Sequence, residues 1–344
     1  MLTFLVRRLG WAAVSFVAVT LYTYVLFFVL PSSTTQNRRG FSGVQGTGLR
    51  ETVVGDDGSF FREYGTFVVN IVQLDLGYSR RTREPVADVI ARAAPATASL
   101  VLGSALLWLL LAFPIGIYSA LRPRSLLDRA GMVFVLLGLS AHPLWLSYML
   151  AYVFGYRLQW VPIAGYCDIF GPAGSCGGPV QWAYHLLLPW LTFAVGFAAI
   201  YARMIRASLK ETLDEDYVRT ARAKGLTDWT AVRKHALRNA MLPVVTMASM
   251  DLGLAFAGAV FVERAFGIPG VGNLLVGALQ SRDVPVVLGI VVFVTVVILL
   301  LSVVVDIAYT IIDPRVRAHG RREPVPDSGG RPAEAPRPAV SSSA

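Results

Sequence analysis

Residues 93–121 read AAPATASLVLGSALLWLLLAFPIGIYSAL, bounded by Arg92 and Arg122 with no Asp, Glu, Lys or Arg between them. A helix crossing a bilayer needs about 20 predominantly apolar residues at about 1.5 Å each, and this run exceeds that length. A buried helix of a soluble protein is seldom uncharged on every face for so long. The stretch between Arg8 and Arg38 is uncharged in the same way. The chain as a whole agrees, since its 344 residues are 55% hydrophobic and 15% charged, with mean hydropathy +0.56. That is too little charge to solvate the surface of a soluble domain this large.

Six apolar segments follow from the same criterion: Leu9–Leu30, Thr97–Leu121, Ala130–Tyr152, Tyr184–Ile205, Asn239–Val262 and Val284–Ile312. The fold class is therefore an all-α membrane protein, a bundle of six transmembrane helices. The first segment follows Arg7 and Arg8 as a signal peptide would. It is longer than a signal h-region and no A-x-A-like site closes it, so it reads as a retained anchor helix.

Basic residues orient the bundle. With the N-terminus cytoplasmic, the inner segments hold Arg122, Arg124 and Arg129, then Lys210, Arg219, Arg222, Lys224, Arg233, Lys234 and Arg238. The short outer loops hold only Arg157, Arg264 and Arg282. The eight arginines between Pro31 and Ala96 lie in a loop long enough to have little say in topology. Both termini are then cytoplasmic, and the net charge of +9 reads as flanking charge, with a nucleic-acid patch as the rival explanation. The chain divides into an anchor helix (1–30), an extracytoplasmic segment (31–96), a core (97–313) containing the inner loop 206–238, and a tail (314–344). That tail is rich in Pro, Gly, Ser and Arg and lacks the apolar surface to offset its ordering entropy, so disorder is expected there.

Cys167 and Cys176 share one outer loop rich in Gly and Pro. On the outer face of a membrane a disulfide between them is the expected chemistry, and the alternative is two unpaired small residues. A metal site is disfavoured, because no histidine neighbours them in the sequence and only Asp168 lies between the thiols. Nothing matches G-x-x-x-x-G-K-[ST], G-x-S-x-G, H-E-x-x-H or C-x-x-C, so no phosphate cradle, hydrolase or zinc motif is expected. The histidines His142, His185, His235 and His319 are scattered over different segments. No catalytic, cofactor-binding or metal-binding residue is assigned.

The largest inner loop carries the strongest signal. It runs Leu213-Asp214-Glu215-Asp216-Tyr217-Val218-Arg219-Thr220-Ala221-Arg222-Ala223-Lys224-Gly225. Acids come first and bases last, as a helix macrodipole prefers, and Glu215 and Arg219 are spaced for an i,i+4 pair. Leu213, Tyr217 and Ala221 would share a face, and Gly225 stands where a left-handed turn ends a helix. Thr227 or Asp228 then caps a second helix through Trp229, Val232 and Leu237. The reading is a short amphipathic helix at the cytoplasmic surface, against an ordinary solvated loop.

Asp216 to Gly225, with His235-Ala236-Leu237-Arg238-Asn239-Ala240 and Leu242-Pro243, resembles the coupling loop of the dipeptide/oligopeptide permease family of ABC importers. It is similar to a variant of E-A-A-x3-G-x9-I-x-L-P. Ala221, Gly225 and Leu237 keep register, while Arg219, Thr220, His235 and Arg238 depart from it in the manner of the peptide branch. Further matches run in order along the chain: Asp75-Leu76-Gly77-Tyr78-Ser79, Pro114-Ile115-Gly116-Ile117, Leu127-Asp128-Arg129, Glu263 to Gly272, and Asp306 with Asp313 to Arg317. They resemble the family's subunit with the longer first outer loop.

The resemblance implies a non-enzymatic permease in a bacterial inner (plasma) membrane that forms half of a translocation path for di- or oligopeptides. It implies a second homologous permease, two ATPase subunits and an extracytoplasmic binding protein as partners, with ATP and Mg bound by the ATPases and no cofactor in this chain. Leu213 and Asp216 to Gly225 would couple to an ATPase, with Tyr217 and Val218 offering apolar contact and Arg219 and Arg222 charge. Nickel, glutathione and other small solutes are carried by related permeases and remain alternatives, as does, from another class, an ion-driven secondary transporter. Asp251 falls mid-span, where a carboxylate is expensive and tends to face the bundle interior or a water-filled path. It is a candidate for the substrate path or an inward-facing structural group bonded to Ser249 or a neighbouring helix.

Overall fold

The computed structural model describes residues 2–26, 60–126, 128–131, 133, 138, 141–170, 176–225, 227, 230 and 236–312. Residues 31–59, parts of the third expected span, the second inner-loop helix through Trp229 and Val232, and the tail 314–344 lie outside the described residues. Every regular element among the described residues is helical, apart from the isolated bridges Tyr78–Pro85 and Asp168–Gly177. The helices are α1 Leu2–Tyr24, α2 Phe60–Val72, α3 Val86–Leu121, α4 Pro143–Leu150, α5 Pro179–Leu213, α6 Asp216–Ala223, α7 Leu237–Ala240, α8 Leu242–Phe266, α9 Val271–Gln280 and α10 Val284–Ile312. A π-helical stretch, Ala151–Arg157, continues α4. Four helices among the described residues are long and apolar enough to span a membrane: α3, α5, α8 from Pro243, and α10 to Val305.

Helix α3 starts eleven residues before the expected Thr97, and α5 overruns its expected segment at both ends. The sequence reading stopped at charge and proline, whereas Asp88, Arg92 and Pro95 all lie inside α3. At 36 residues the helix is about 54 Å long against a hydrocarbon layer of about 30 Å. Its charged turns therefore have room outside the apolar layer. Helices α2 and α9 were not foreseen.

Helices α3 and α5 pack side by side and run parallel. Trp190 donates its indole N–H to the Ser99 carbonyl at 3.0 Å, and further along Trp108 stacks on Phe197 with ring centroids 4.6 Å apart. At the far end a Cβ on Gly116 would stand 2.8 Å from the Ile205 Cβ, so these backbones touch where only glycine fits. Helix α8 runs antiparallel to α5, with Gly258 beside Phe193 and Asp251 beside Tyr201. Helix α10 is antiparallel to α8, with Gly253 against Ile298, and its start meets Val86 and Ile90 of α3.

Two parallel neighbours require a return crossing between them. The described parts of 128–157 make one: Gly131 lies by Ile115, Gly138 by Val195 and Ala199, and His142 edge-on to Phe261. The main core, which includes Leu100, Trp108, Leu186, Tyr201, Phe256 and Phe266, fills the space among α3, α5 and α8. The bundle has two ends, one carrying the turn after α3 and helix α6, the other carrying the disulfide and helix α9.

Candidate functional site

At the first end, α5 breaks after Leu213. The Asp214 and Glu215 amides donate back to the Glu211 and Thr212 carbonyls, and the chain restarts as α6 at Asp216. The Glu215 carbonyl accepts from the Val218 and Arg219 amides, closing the first turn of α6. Gly225 has φ +88°, the left-handed conformation anticipated for this turn. Thus Asp216, Tyr217, Val218, Arg219, Thr220, Ala221, Arg222 and Ala223 form the helix, Lys224 and Gly225 its exit turn, and Leu213 the end of the preceding helix.

The helix sits differently from the sequence expectation. Val218 is fully buried, packed with Ala120, Leu209, Ala236 and Ala240 and bordered by Leu121, Leu213 and Met241. It therefore does not offer apolar contact to another protein but fastens α6 to the feet of α3 and α5 and to α7. Tyr217 is 41% exposed, and Asp216, Arg219, Thr220, Ala223 and Lys224 are exposed as well. Arg219 lies 3.9 Å from Asp216, one turn back, and not in the expected pair with Glu215. Exposed pairs of this kind are worth about 0–1 kcal/mol.

Beside this seat lies an ionic node that the sequence did not single out. Asp128 is buried and accepts from the Ser119 hydroxyl at the foot of α3 and from the Arg124 amide at 2.9 Å. The Arg206 guanidinium of α5 donates to it at 2.9 Å. Arg124 itself adopts φ +66°, and the Ser125 hydroxyl accepts from the Asp128 amide at 3.1 Å. The Ser119 hydroxyl, then the Arg124 amide and the Arg206 guanidinium, lower the Asp128 pKa to about 2 against the opposing effect of burial. Because the charged form is favoured in the fold, its contribution is complete above the ordinary carboxylate pKa and is lost only as pH falls through about 2.

Midway along the bundle, Asp251 is half-buried and accepts from the Tyr201 hydroxyl of α5 at 2.8 Å. Tyr201 is fully buried, its ring 6.0 Å from Trp108. Met250 and Leu254, next to Asp251 on α8, are 74% and 63% exposed. Asp251 thus stands at the border between the packed core and an open helix face.

At the second end, the run Glu263 to Gly272 is built around a fully buried carboxylate. Glu263 accepts from the Thr97 hydroxyl of α3 at 2.6 Å and from the Asn273 amide at 2.8 Å, while the Thr97 oxygen accepts from the Val271 amide. The carboxylate and Thr97 so satisfy the first amides of α9, which otherwise lack partners. A Cβ on Gly270 would run into the Glu263 carboxylate, which explains the glycine there. Asp283, also buried, holds the outer turn before α3 by accepting from the Ser79 hydroxyl at 2.6 Å and the Arg80 amide at 3.2 Å. The sequence reading held Glu263 only as part of a family match and passed over Asp283, whose available signal was a lone carboxylate placed just before a helix start.

Cys167 and Cys176 are joined as a disulfide, their Cα atoms 5.1 Å apart. The fold also brings in a histidine that the sequence left distant, since the His185 Nδ1 lies 3.3 Å from the Cys167 sulfur. With both sulfurs bonded to each other, this group presents no thiolate to a metal.

The long parallel and antiparallel apolar helices, with a seated helix exposed at one end, are the architecture of a membrane-spanning helical bundle. The chain belongs to the family of binding-protein-dependent transport system inner membrane components, which it matches over residues 112–318, with residues 1–101 matching the N-terminal region of such membrane components. It is thus a non-catalytic inner membrane subunit. Among its relatives, the dipeptide transport system permease protein DppB of Escherichia coli (strain K12) is 32% identical over 336 residues, covering 92% of this chain and 99% of that protein. The di/tripeptide transport system permease protein DppB of Pseudomonas aeruginosa (strain UCBPP-PA14) is 34% identical over 333 residues, with 92% and 99% covered. The inward-facing MetNI methionine ABC transporter superposes with a TM-score of 0.52 at 18% identity, covering 65% of this chain and 96% of that one. That likeness concerns the fold alone.

Proposed function

We propose that this chain is the permease subunit of an ATP-driven importer of di- and oligopeptides, coupled to its ATPase through α6. It contributes six crossings with both termini cytoplasmic, so that α6 and the Arg122–Arg129 turn face the cytoplasm and the disulfide faces outward. A second, related permease completes the path, two ATPase subunits bind ATP and Mg below, and a binding protein delivers peptide from above. Membership in a binding-protein-dependent family sets aside the ion-driven alternative. The peptide assignment rests on the dipeptide and di/tripeptide permeases that the chain resembles over nearly its whole length.

The observation that carries the coupling role is the geometry of α6. Its inner side is fixed by Val218 while Tyr217, Arg219, Thr220 and Lys224 point outward from a rigid seat. A helix held in this way transmits a push from a partner into α3 and α5 together. Asp251 is assigned to the peptide path, where its carboxylate meets the cationic groups of a passing peptide.

The test is Gly225→Pro, which forbids the positive φ and removes a backbone donor. The variant is expected to reach the membrane while uptake falls near background and ATP hydrolysis no longer responds to the loaded binding protein. Wild-type uptake by this variant overturns the reading.

A further inference from the structure

We propose that Asp128 and Arg206 are positioning residues: their contact makes the foot of the third span move with the helix that carries α6. The inference rests on the coupling reading above and goes beyond it to the route by which motion spreads from α6.

That route starts at Val218, which touches the cluster containing Leu209 of α5 and Ala120 of α3. A displacement of α6 is therefore delivered directly to two helices. One turn higher these helices are already locked by the contact of Gly116 with Ile205 and Ala202. Among the described residues, the third span has no share in the Val218 cluster. Higher up, that span comes close to α5 where Gly138 meets Val195 and Ala199, but its foot follows the turn Arg122–Arg129, where Gly131 approaches Ile115 at 3.5 Å for a Cβ placed on it.

Asp128 closes this gap. It sits at the start of that foot and is held at once by Ser119 on α3 and Arg206 on α5. Three segments meet on one carboxylate, with 7% of the Asp128 side chain and 24% of the Arg206 side chain exposed. Water cannot readily replace either partner, so loss of one leaves a buried, unpaired charge or donor. The grip is one-sided: only one terminal guanidinium nitrogen bonds the carboxylate, and the Arg206 Nε is buried without an acceptor among the described residues. Lysine at 206 keeps the charge and loses the planar geometry, which makes it a graded probe.

The experiment uses the complete importer in proteoliposomes, with binding protein and a labelled dipeptide, and records uptake, ATP hydrolysis and their ratio. Asp128→Asn and Arg206→Met are expected to assemble with the ATPases and hydrolyse ATP, while peptide taken up per ATP falls by roughly tenfold, a typical coupling magnitude. Arg206→Lys is expected to fall less, and the double variant to be no worse than the poorer single one, since both break the same contact. Wild-type uptake per ATP in Asp128→Asn and Arg206→Lys overturns the proposal. So does a parallel loss of assembly, hydrolysis and uptake, which marks a purely structural pair. Gly225→Pro, run in the same vesicles, separates the two claims. If it uncouples while the Asp128 and Arg206 variants do not, the latch alone fails; if it leaves uptake intact, the coupling reading fails and the latch with it.

Discussion

Asp128 and Asp251 are both acids inside an apolar chain, yet their surroundings assign them different work. Asp128 is buried and accepts from Ser119, Arg124 and Arg206, so its carboxylate is committed to the fold. Asp251 accepts from Tyr201 on one oxygen and borders the exposed face of Met250 and Leu254. An asparagine at 251 keeps an oxygen for the Tyr201 hydroxyl and removes the charge, so the bundle should stay assembled. Asp251→Asn is expected to lower uptake several-fold for peptides with a cationic side chain and less for neutral ones. Equal uptake across peptides of different charge leaves Asp251 with a structural role only. From sequence, Asp251 was visible because charge is rare at mid-span. Asp128 was not, because it looked like one more charge in a basic loop, and its three partners come from three separate segments.

At the scale of elements, α6 shows how a right assignment can hide a wrong orientation. The run of acids followed by bases and the closing Gly225 located the helix, and its bounds agree with the structure to within a few residues. Which side faces inward was not legible, since Tyr217 and Val218 are adjacent and both apolar enough to be buried. Tertiary packing chose Val218. Substituting Val218→Ala should cost about 1–2 kcal/mol of packing and lower the melting temperature of the detergent-solubilised permease. Tyr217→Ala should leave that temperature unchanged and weaken co-purification with the ATPase. The reverse pattern would mean that the two side chains have been exchanged. The outer loop carries a second prediction. In the native, unreduced protein, Cys167 and Cys176 should resist alkylation and become reactive after reduction. A loop this short contributes somewhat under ~3 kcal/mol through chain entropy. Reaction of both thiols without reductant would remove the disulfide from the description.

Over the whole molecule, hydropathy marked six spans, of which four stand as long apolar helices among the described residues, and it was a poor guide to their ends. Helix α3 continues past Pro95, which has no amide to donate, and through the charged turn at Arg92, while its start packs on α10 where Val86 and Ile90 meet Gly289, support that no window of sequence reports. Helix α9 was invisible for a related reason: its ten residues are too few to span, and its capping acid, Glu263, sits on the preceding helix. The parallel course of α3 and α5 fixes an odd number of crossings between them, which supports six crossings overall. Single cysteines placed at Ser125 and Thr227, in a chain lacking Cys167 and Cys176, should label from the cytoplasmic side, and those at Ser59 and Ser175 from outside. Reversal at any one of the four positions breaks this topology.

The burial of Val218 also bears on how such machines are kept apart from one another inside a cell. Because α6 is already folded and braced before any partner arrives, docking orders few new residues and little affinity is lost to entropy. Partner choice is then written on the outward side chains, which among the described residues are Asp216, Tyr217, Arg219, Thr220, Ala223 and Lys224. Transplanting those six identities from another importer's permease, with Val218 untouched, should retarget this subunit to a foreign motor without disturbing its own fold. An address label and its fastening are thus separable in a helix of two turns.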